Sequence, residues 1–314
     1  MPDVEIPHWD AEKIRAQLPL AAVIAAMRDA FLALSDGRAQ APQRHSLPLL
    51  HAPARMLVMP SYMQGSRIAC VKIVSICPQN AALGKATIVG SLQAFDASTG
   101  EMLATFDAET ITALRTGAAS ALATDLLAPA SASRLAIFGC GAQAMSQVEA
   151  IHQVRPLSAL AVFGRDVERV KTFCRQWTTR LSIPVLVGNA ASLKQADLIA
   201  TATTSATPLF SRDDIAARVH INAIGSYTPD RYELPLDMLA DATVVVDSRA
   251  ASGVEAGEIV QALQQGFIPA LQSLPELGEL LARTSVDKKS VTVFKSVGHA
   301  IQDLMCVRTL LGDA

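Results

Sequence analysis

Between residues 10 and 36 the apolar positions Ile14, Leu18, Val23, Ile24, Met27, Phe31 and Leu34 recur mostly at three- and four-residue steps, and Gly37 follows. That spacing predicts helix, divided in two by Pro19. From Gln43 to about Phe106 the period falls to two and turn residues multiply. Arg55–Pro60, Ile68–Val74, Ala86–Asp96 and Glu101–Phe106 read as strands, the last two joined by a hairpin turn at Ala97-Ser98-Thr99-Gly100. A mostly antiparallel sheet is expected there.

Asp107-Ala108-Glu109-Thr110 offers a cap for a long helix to about Leu127, with Ile111, Leu114, Ala118, Leu122 and Leu126 on one face and Pro129 beyond its end. The apolar run Arg134–Phe138 then enters Gly139-Cys140-Gly141-Ala142-Gln143-Ala144 and a helix from Gln143 to about His152. A second strand, Ala159–Phe163, closes a βαβ unit of the expected length. Strands at Pro184–Val187, Leu198–Thr203, His220–Gly225 and Thr243–Asp247 alternate with helical stretches, which argues for a doubly wound parallel sheet. Helix over Leu274–Ala282, a strand at Ser290–Lys295 and a last helix from Gly298 complete the chain.

Composition narrows the function classes. The 314 residues are 50% hydrophobic and 18% charged, with a net charge of -2. Length on this scale predicts about two domains, and near-neutral charge gives no electrostatic basis for binding nucleic acid or an anionic membrane surface. Cys70, Cys77, Cys140, Cys174 and Cys306 are scattered without metal-ligand spacing. The acidic start Met1–Glu5 lacks a secretion pattern and no apolar run is long enough for a bilayer, so a cytoplasmic protein acting on small molecules is expected.

The Gly-x-Gly-x-x-Ala turn lets a backbone approach a pyrophosphate, whose charge the helix's first N–H groups meet; a dinucleotide is implied. Its partners at the strand ends are Thr203-Thr204-Ser205 and Gly225-Ser226-Tyr227. Outside this unit, Lys72 alternates into an apolar strand, where a lysine is rarely buried without a partner. Arg115 lies beside Thr116-Gly117-Ala118-Ala119, small enough for close approach by a neighbouring element or a ligand. His45 and His51, near Pro48 and Pro53, read as structural loop residues.

Several motifs in order along the chain resemble the ornithine cyclodeaminase/mu-crystallin family. They are Arg44 ahead of Met59-Pro60-Ser61-Tyr62, the lysine of Val71-Lys72-Ile73, Ile111–Ala119 with Arg115, Gly139–Ala144, Ile221-Asn222-Ala223-Ile224-Gly225 and Phe294-Lys295-Ser296-Val297-Gly298. The resemblance implies an α/β subunit with a Rossmann domain at 118–294. A discontinuous α+β domain, 1–117 with 295–314, would bind substrate and form a homodimer. It implies that Arg44, Lys72 and Arg115 surround the carboxylate of a small amino or imino acid, with Val297 and His299 near the substrate; the family usually has an apolar residue in place of His299. Arginine suits that role because it holds a carboxylate through two parallel bonds, while lysine adds a movable charge. Cofactor contacts are implied at Thr87, Arg115, Gly139, Gly141, Ala142, Gln143, Gly164, Arg165, Thr203, Ile224, Gly225, Arg231 and Ser296.

After the second Rossmann strand the chain reads Phe163-Gly164-Arg165-Asp166. Arginine can pair with a 2′-phosphate and glycine leaves room for it, which favours NADP(H); Asp166, if aimed at the ribose, keeps NAD(H) as the alternative. The reaction turns on the second residue after Gly225. The family's cyclodeaminases and alanine dehydrogenases carry an aspartate there, and this chain carries Tyr227. Deamination by cyclisation needs repeated proton shuttling, for which a phenol with a reference pKa of about 10 is a poor base. Reduction of a preformed cyclic imine asks for less. The Gly-Ser-x-Thr-Pro-x-x-x-Glu-Leu form of Gly225–Leu234 resembles that of the family's ketimine reductases, which implies reduction of Δ1-pyrroline-2-carboxylate or Δ1-piperideine-2-carboxylate to L-proline or L-pipecolate. Lys72, Tyr227 and Asp230 are the catalytic candidates, Asp230 as a substitute for the missing aspartate. Ornithine cyclodeaminase or a related amino-acid dehydrogenase is the alternative enzyme, and an NADPH-binding protein with little catalysis is the alternative from another class.

Overall fold

A computed structural model describes residues 5–49 and 54–313; His51 lies outside them. Its elements in chain order are β1 (His8–Trp9), α1 (Ala11–Gln17), α2 (Leu20–Ser35), β2 (Ala39–Gln40), β3 (His45–Leu49), β4 (Ala54–Met63), β5 (Ile68–Ile76), β6 (Ile88–Asp96), β7 (Met102–Asp107) and α3 (Ala108–Leu127). There follow β8 (Arg134–Phe138), α4 (Ala142–Val154), β9 (Ala159–Phe163), α5 (Val167–Arg180), β10 (Val185–Val187), α6 (Ala190–Lys194), β11 (Leu198–Thr201), β12 (Val219–Ala223) and β13 (Thr243–Val246). Last come α7 (Arg249–Glu255), α8 (Gly257–Gln264), α9 (Leu277–Leu281), β14 (Val291–Lys295) and α10 (Ala300–Leu311). The chain forms two compact units, Met1–Arg115 with His299–Ala314, and Thr116–Gly298.

In the first unit the sheet runs β1-β7-β6-β5-β4-β2, with β3 also paired to β4. The ladder from β4 to β7 is antiparallel, and β1 adds to β7 in parallel. Strands β4 and β5 bury every second residue, as a sheet with one covered face requires. Helix α10 packs on both strands and on α2. Cys70, Lys72 and Val74 lie on that buried face, so the strand period itself turns a lysine inward. Asp107 accepts from the Thr110 N–H at 2.8 Å and starts α3 as its sequence suggests. His45 differs from expectation: it opens a strand, paired with Val58, instead of lying in a loop. Pro48 is tolerated there because β3 pairs on one side only and needs no second donor row.

The second unit holds an all-parallel sheet in the order β10-β9-β8-β11-β12-β14-β13. Alternate residues of β8 serve opposite faces: Ala136 and Phe138 enter one core cluster, Leu135 and Ile137 the other. Strand order reverses between β8 and β11, the place where such sheets hold ligands at their carboxyl ends. The helix expected over Leu274–Ala282 shortens to α9. Val246 donates to the Pro275 carbonyl at 3.0 Å, and Glu276 caps α9 in a box with Glu279, so helix cannot begin earlier. Strand β14 and the turn after it belong to this sheet, and the chain returns to the first unit at His299.

Candidate active site

Gly139 ends β8 at φ +113, and a Cβ there would stand 2.4 Å from the Ala202 carbonyl oxygen. Only glycine fits both conditions. Gly141 caps α4 with no side-chain bond, and a Cβ on it would meet nothing within 4 Å. The first N–H groups of α4, beginning at Ala142, are thus left without a capping side chain, beside open space. The Gln143 Oε1 atom is buried with no hydrogen-bond partner among the described residues. An open cradle of uncapped N–H groups fits a pyrophosphate-bearing cofactor. Gly117 serves packing instead. Its Cβ would lie 2.5 Å from the Ser146 carbonyl, so the small patch after Arg115 lets α3 approach α4 closely.

After β9, Gly164 abuts the glycine loop, since a Cβ there would sit 3.3 Å from Cys140 Sγ and 2.9 Å from Val170. Arg165 is exposed. Asp166 caps α5, accepting from the Glu168 and Arg169 N–H groups at 3.0 and 3.2 Å. This carboxylate, the candidate ribose ligand, is engaged by its own helix. Arg169 joins Cys140, Glu168 and Thr172 in lining a cavity of about 280 Å³. It adds a second cation that no sequence motif singles out. Burial pushes the Cys140 thiol upward, with Arg169 pulling the other way.

At the strand ends, Thr203 donates to Glu233 through both its N–H and its hydroxyl, at 2.8 and 2.7 Å. Gly225 donates its N–H to the same carboxylate at 2.9 Å. Ile224 is tied to β11, its N–H donating to the Thr201 carbonyl at 3.0 Å. Arg231 reaches the Thr204 carbonyl at 3.2 Å. Tyr227 is half-buried and packs against the core cluster of its sheet face. The Asp230 side chain is 75% exposed, with Arg231 Nε 3.9 Å away. That is the environment of a turn residue after Pro229. Asp247 organises the last turn: its Oδ2 accepts from the Ser296 hydroxyl and from the Val297 and Gly298 N–H groups at 2.8 to 2.9 Å.

In the first unit, Lys72 Nζ stands 2.6 Å from Asp303 Oδ2 and Arg115 Nε 3.2 Å from Asp303 Oδ1. Arg115 Nη1 donates to Gln302 Oε1 at 2.8 Å, and Lys72 donates to the Thr112 hydroxyl at 3.4 Å. All these charged side chains are nearly inaccessible. The partner that Lys72 requires is therefore already supplied by the protein, and an anionic substrate would be an additional one. Arg115 commits its Nε edge to Asp303, so it can offer a ligand only the Nη end. Burial pushes the Lys72 ammonium down to about 8, against the opposing pull of Asp303; Arg115 and the half-buried Arg44 press in the same direction as burial. Arg44, Lys72 and Arg115 are thus brought into one electrostatic neighbourhood. Thr87 is exposed just before β6. His299 caps α10 in a box with Gln302, which holds the helix carrying Asp303.

Sequence patterns alone do not single out Asp303 or Asp247, and they include Glu233 only as the glutamate of the Gly225–Leu234 stretch, without a role. For Asp303 a signal exists: it is the lone charge within Ala300–Val307, as Lys72 is within Ile68–Ile76. Two isolated opposite charges in buried elements are candidates for each other.

A family model described as the ornithine cyclodeaminase/mu-crystallin family matches residues 9–313. Over 290 residues the chain is 36% identical to a Δ1-pyrroline-2-carboxylate reductase of Bacillus cereus, covering 90% of this chain and 89% of that one. The solved structure of Thermococcus litoralis Δ1-pyrroline-2-carboxylate reductase, in complex with NADH and L-proline, superposes with a TM-score of 0.92 at 29% identity, covering 98% of this chain and 97% of that one. An archaeal alanine dehydrogenase dimer with bound NAD superposes with a TM-score of 0.89 at 27% identity, covering 98% and 96%.

Proposed function

The chain belongs to the ornithine cyclodeaminase/mu-crystallin family, and on that premise we propose that it is a nicotinamide-dependent reductase of cyclic imino acids. Its substrates are Δ1-pyrroline-2-carboxylate and its six-membered homologue, and its products L-proline and L-pipecolate. The observation that carries this reading is the buried cluster in which Lys72 and Arg115 share Asp303, with Arg44 pressing on the same lysine. Positive charge so gathered suits a small carboxylate.

The nicotinamide supplies the hydride. The protein's residues bind, orient and protonate. Arg44 and the Nη end of Arg115 hold the carboxylate, fixing the carbon that bears it. Lys72, with its pKa brought near neutrality, gives a proton to the imine nitrogen as hydride reaches that carbon, so the C=N bond becomes CH–NH. Lys72 is then re-protonated from solvent. Tyr227, a phenol where the deaminases carry an aspartate, is not needed as a base here, which sets this activity apart from the deaminases. Exposed Asp230 does not replace the missing aspartate.

NADP(H) is the favoured cofactor. Arg165 and Arg169 are cations beside Gly164, and Asp166 is spent on capping α5. A homodimer and a cytoplasmic location belong to the same proposal. The dimer is supported by apolar residues exposed along the sheet and by the dimeric relative, and the location by free cysteines.

The test is oxidation of NADPH and NADH by the purified protein with each cyclic imine, alongside Tyr227→Phe and Lys72→Met. Turnover lost in Lys72→Met and largely kept in Tyr227→Phe is the expected pattern. Absence of turnover with both imines, or ammonia and proline formed from ornithine with catalytic NAD, would reject the proposal.

A further inference from the structure

The carboxylate of Glu233 has no role in the scheme above, yet it is tied to the ends of two strands. It is completely buried and accepts four hydrogen bonds. Oε2 accepts from the Thr201 hydroxyl at 2.8 Å and the Gly225 N–H at 2.9 Å; Oε1 accepts from the Thr203 N–H and hydroxyl at 2.8 and 2.7 Å. Thr201 closes β11, and Gly225 follows β12 by two residues. One side chain therefore ties the carboxyl ends of two neighbouring parallel strands.

The tie continues through charges that are themselves buried. The Glu233 N–H donates to Glu258 Oε1 at 2.8 Å, Glu258 Oε2 lies 2.9 Å from Lys295 Nζ, and Lys295 donates to the Ser226 carbonyl at 2.7 Å. Lys295 closes β14. The network thus spans the ends of β11, β12 and β14 and holds both ends of the loop that carries Tyr227. Burial pushes the Glu233 carboxyl upward, while Lys295 and the threonine hydroxyls pull it down. A stretch of sheet that needed only a lid could have been closed by apolar residues without burying three charges.

Contact at Gly225 shows how tightly the parts are coupled. A Cβ there would stand 2.5 and 2.6 Å from the two Glu233 oxygens and 2.4 Å from the Thr203 carbonyl. No slack separates the carboxylate from the backbone it organises, so a displacement of Glu233 moves Gly225 and Thr203 with it.

We propose that Glu233 is a positioning residue for the nicotinamide end of the cofactor, acting through the Thr203 and Gly225 backbone. The inference rests on the reading that this chain uses a nicotinamide cofactor, and it does not depend on which imine is reduced. Glutamine is a sharp probe of it. Each Glu233 oxygen faces a backbone N–H, from Gly225 on one side and Thr203 on the other. An amide NH2 group therefore confronts an N–H in either orientation. Thr201→Val is the milder probe, removing one hydroxyl bond at constant shape.

The experiment measures NADH and ADP-ribose binding to the full-length wild type, Glu233→Gln and Thr201→Val. Steady-state turnover with C4-deuterated NADH runs in parallel, and thermal melts confirm folding. ADP-ribose carries the pyrophosphate and adenosine but no nicotinamide. The expected result is NADH affinity weakened roughly tenfold in Glu233→Gln with ADP-ribose affinity unchanged. The turnover number falls roughly 10- to 100-fold, as small misplacement of reacting groups does, and the deuterium isotope effect rises. Thr201→Val shows the same signature at smaller amplitude, and decides the matter alone if Glu233→Gln does not fold. Equal losses for NADH and ADP-ribose, or a folded variant with NADH binding and isotope effect unchanged, would overturn the assignment. If the wild type binds NADH but reduces no imine, the proposed reaction fails while the binding comparison still judges Glu233.

Discussion

Asp303 and Lys72 form a buried ion pair across the first unit, Oδ2 to Nζ at 2.6 Å, with Arg115 on the other carboxylate oxygen. The pair follows from two patterns. Alternation along β5 turns Lys72 to the face that α10 covers, and Asp303 is the lone charge in the buried stretch of that helix. Lys72 could not be buried without that carboxylate, because an unpaired ion in a protein interior costs several kcal/mol.

That dependence is measurable. Asp303→Asn leaves the buried Lys72 and Arg115 without their carboxylate and is expected to destabilise the fold by about 3–5 kcal/mol in urea unfolding, and Lys72→Met, which leaves Asp303 paired with Arg115, by less. Lys72→Met combined with Asp303→Asn should cost well below the sum of the two single changes. Strict additivity would mean that the pair is not coupled.

The same lysine gives a pH signature. Its folded pKa is lowered from 10.5 to about 8. Between these values the unfolded chain binds the proton and the folded one does not, so this group makes stability rise with pH across that window. Activity should run the opposite way, because the proposed mechanism uses the charged ammonium as the acid: kcat/KM should fall as pH rises through about 8. Lys72→Arg should abolish that limb, because arginine does not titrate there. Persistence of the limb would point to another group.

Much of this is legible in the sequence because it is local. Period two over Ile68–Val74 predicts β5 and turns Lys72 inward. Gly139 is required by its +113° dihedral and by the Ala202 carbonyl, 2.4 Å from where a Cβ would stand. Asp303 and Glu233 stay hidden because their roles depend on residues far away in the chain, and neither sits in a motif that states its partner. His45 reads as a loop residue through Pro48, which signals a break unless the strand is at an edge. Asp166 stands after β9 where a ribose ligand would, and the local competition won by its capping bonds becomes visible only in three dimensions.

Cofactor choice should respond to Arg165. Charge-assisted bonds to a phosphate are worth about 1.5–3 kcal/mol each. Arg165→Ala should therefore weaken NADPH by roughly 10- to 100-fold with NADH little changed, and Arg169→Ala should act in the same direction. Titration of both cofactors against each variant decides it. Equal losses would place the 2′-phosphate elsewhere.

The last expectation concerns the sheet of the first unit. Across β3, β4, β5 and β6 the residues Leu47, Met56, Ser75 and Val89 lie in register, on one face of the sheet. Leu47 and Val89 are 59 and 57% exposed. Apolar side chains aligned across several strands form a continuous patch, which soluble proteins usually cover with a partner. A second copy of this chain is the proposed cover, so Leu47→Asp and Val89→Asp should convert a dimer into a folded monomer. Light scattering on the wild type and both variants checks this, with circular dichroism to confirm the fold. A wild type that is monomeric at micromolar concentration, or variants that remain dimers, would show that this row of residues does not form the interface.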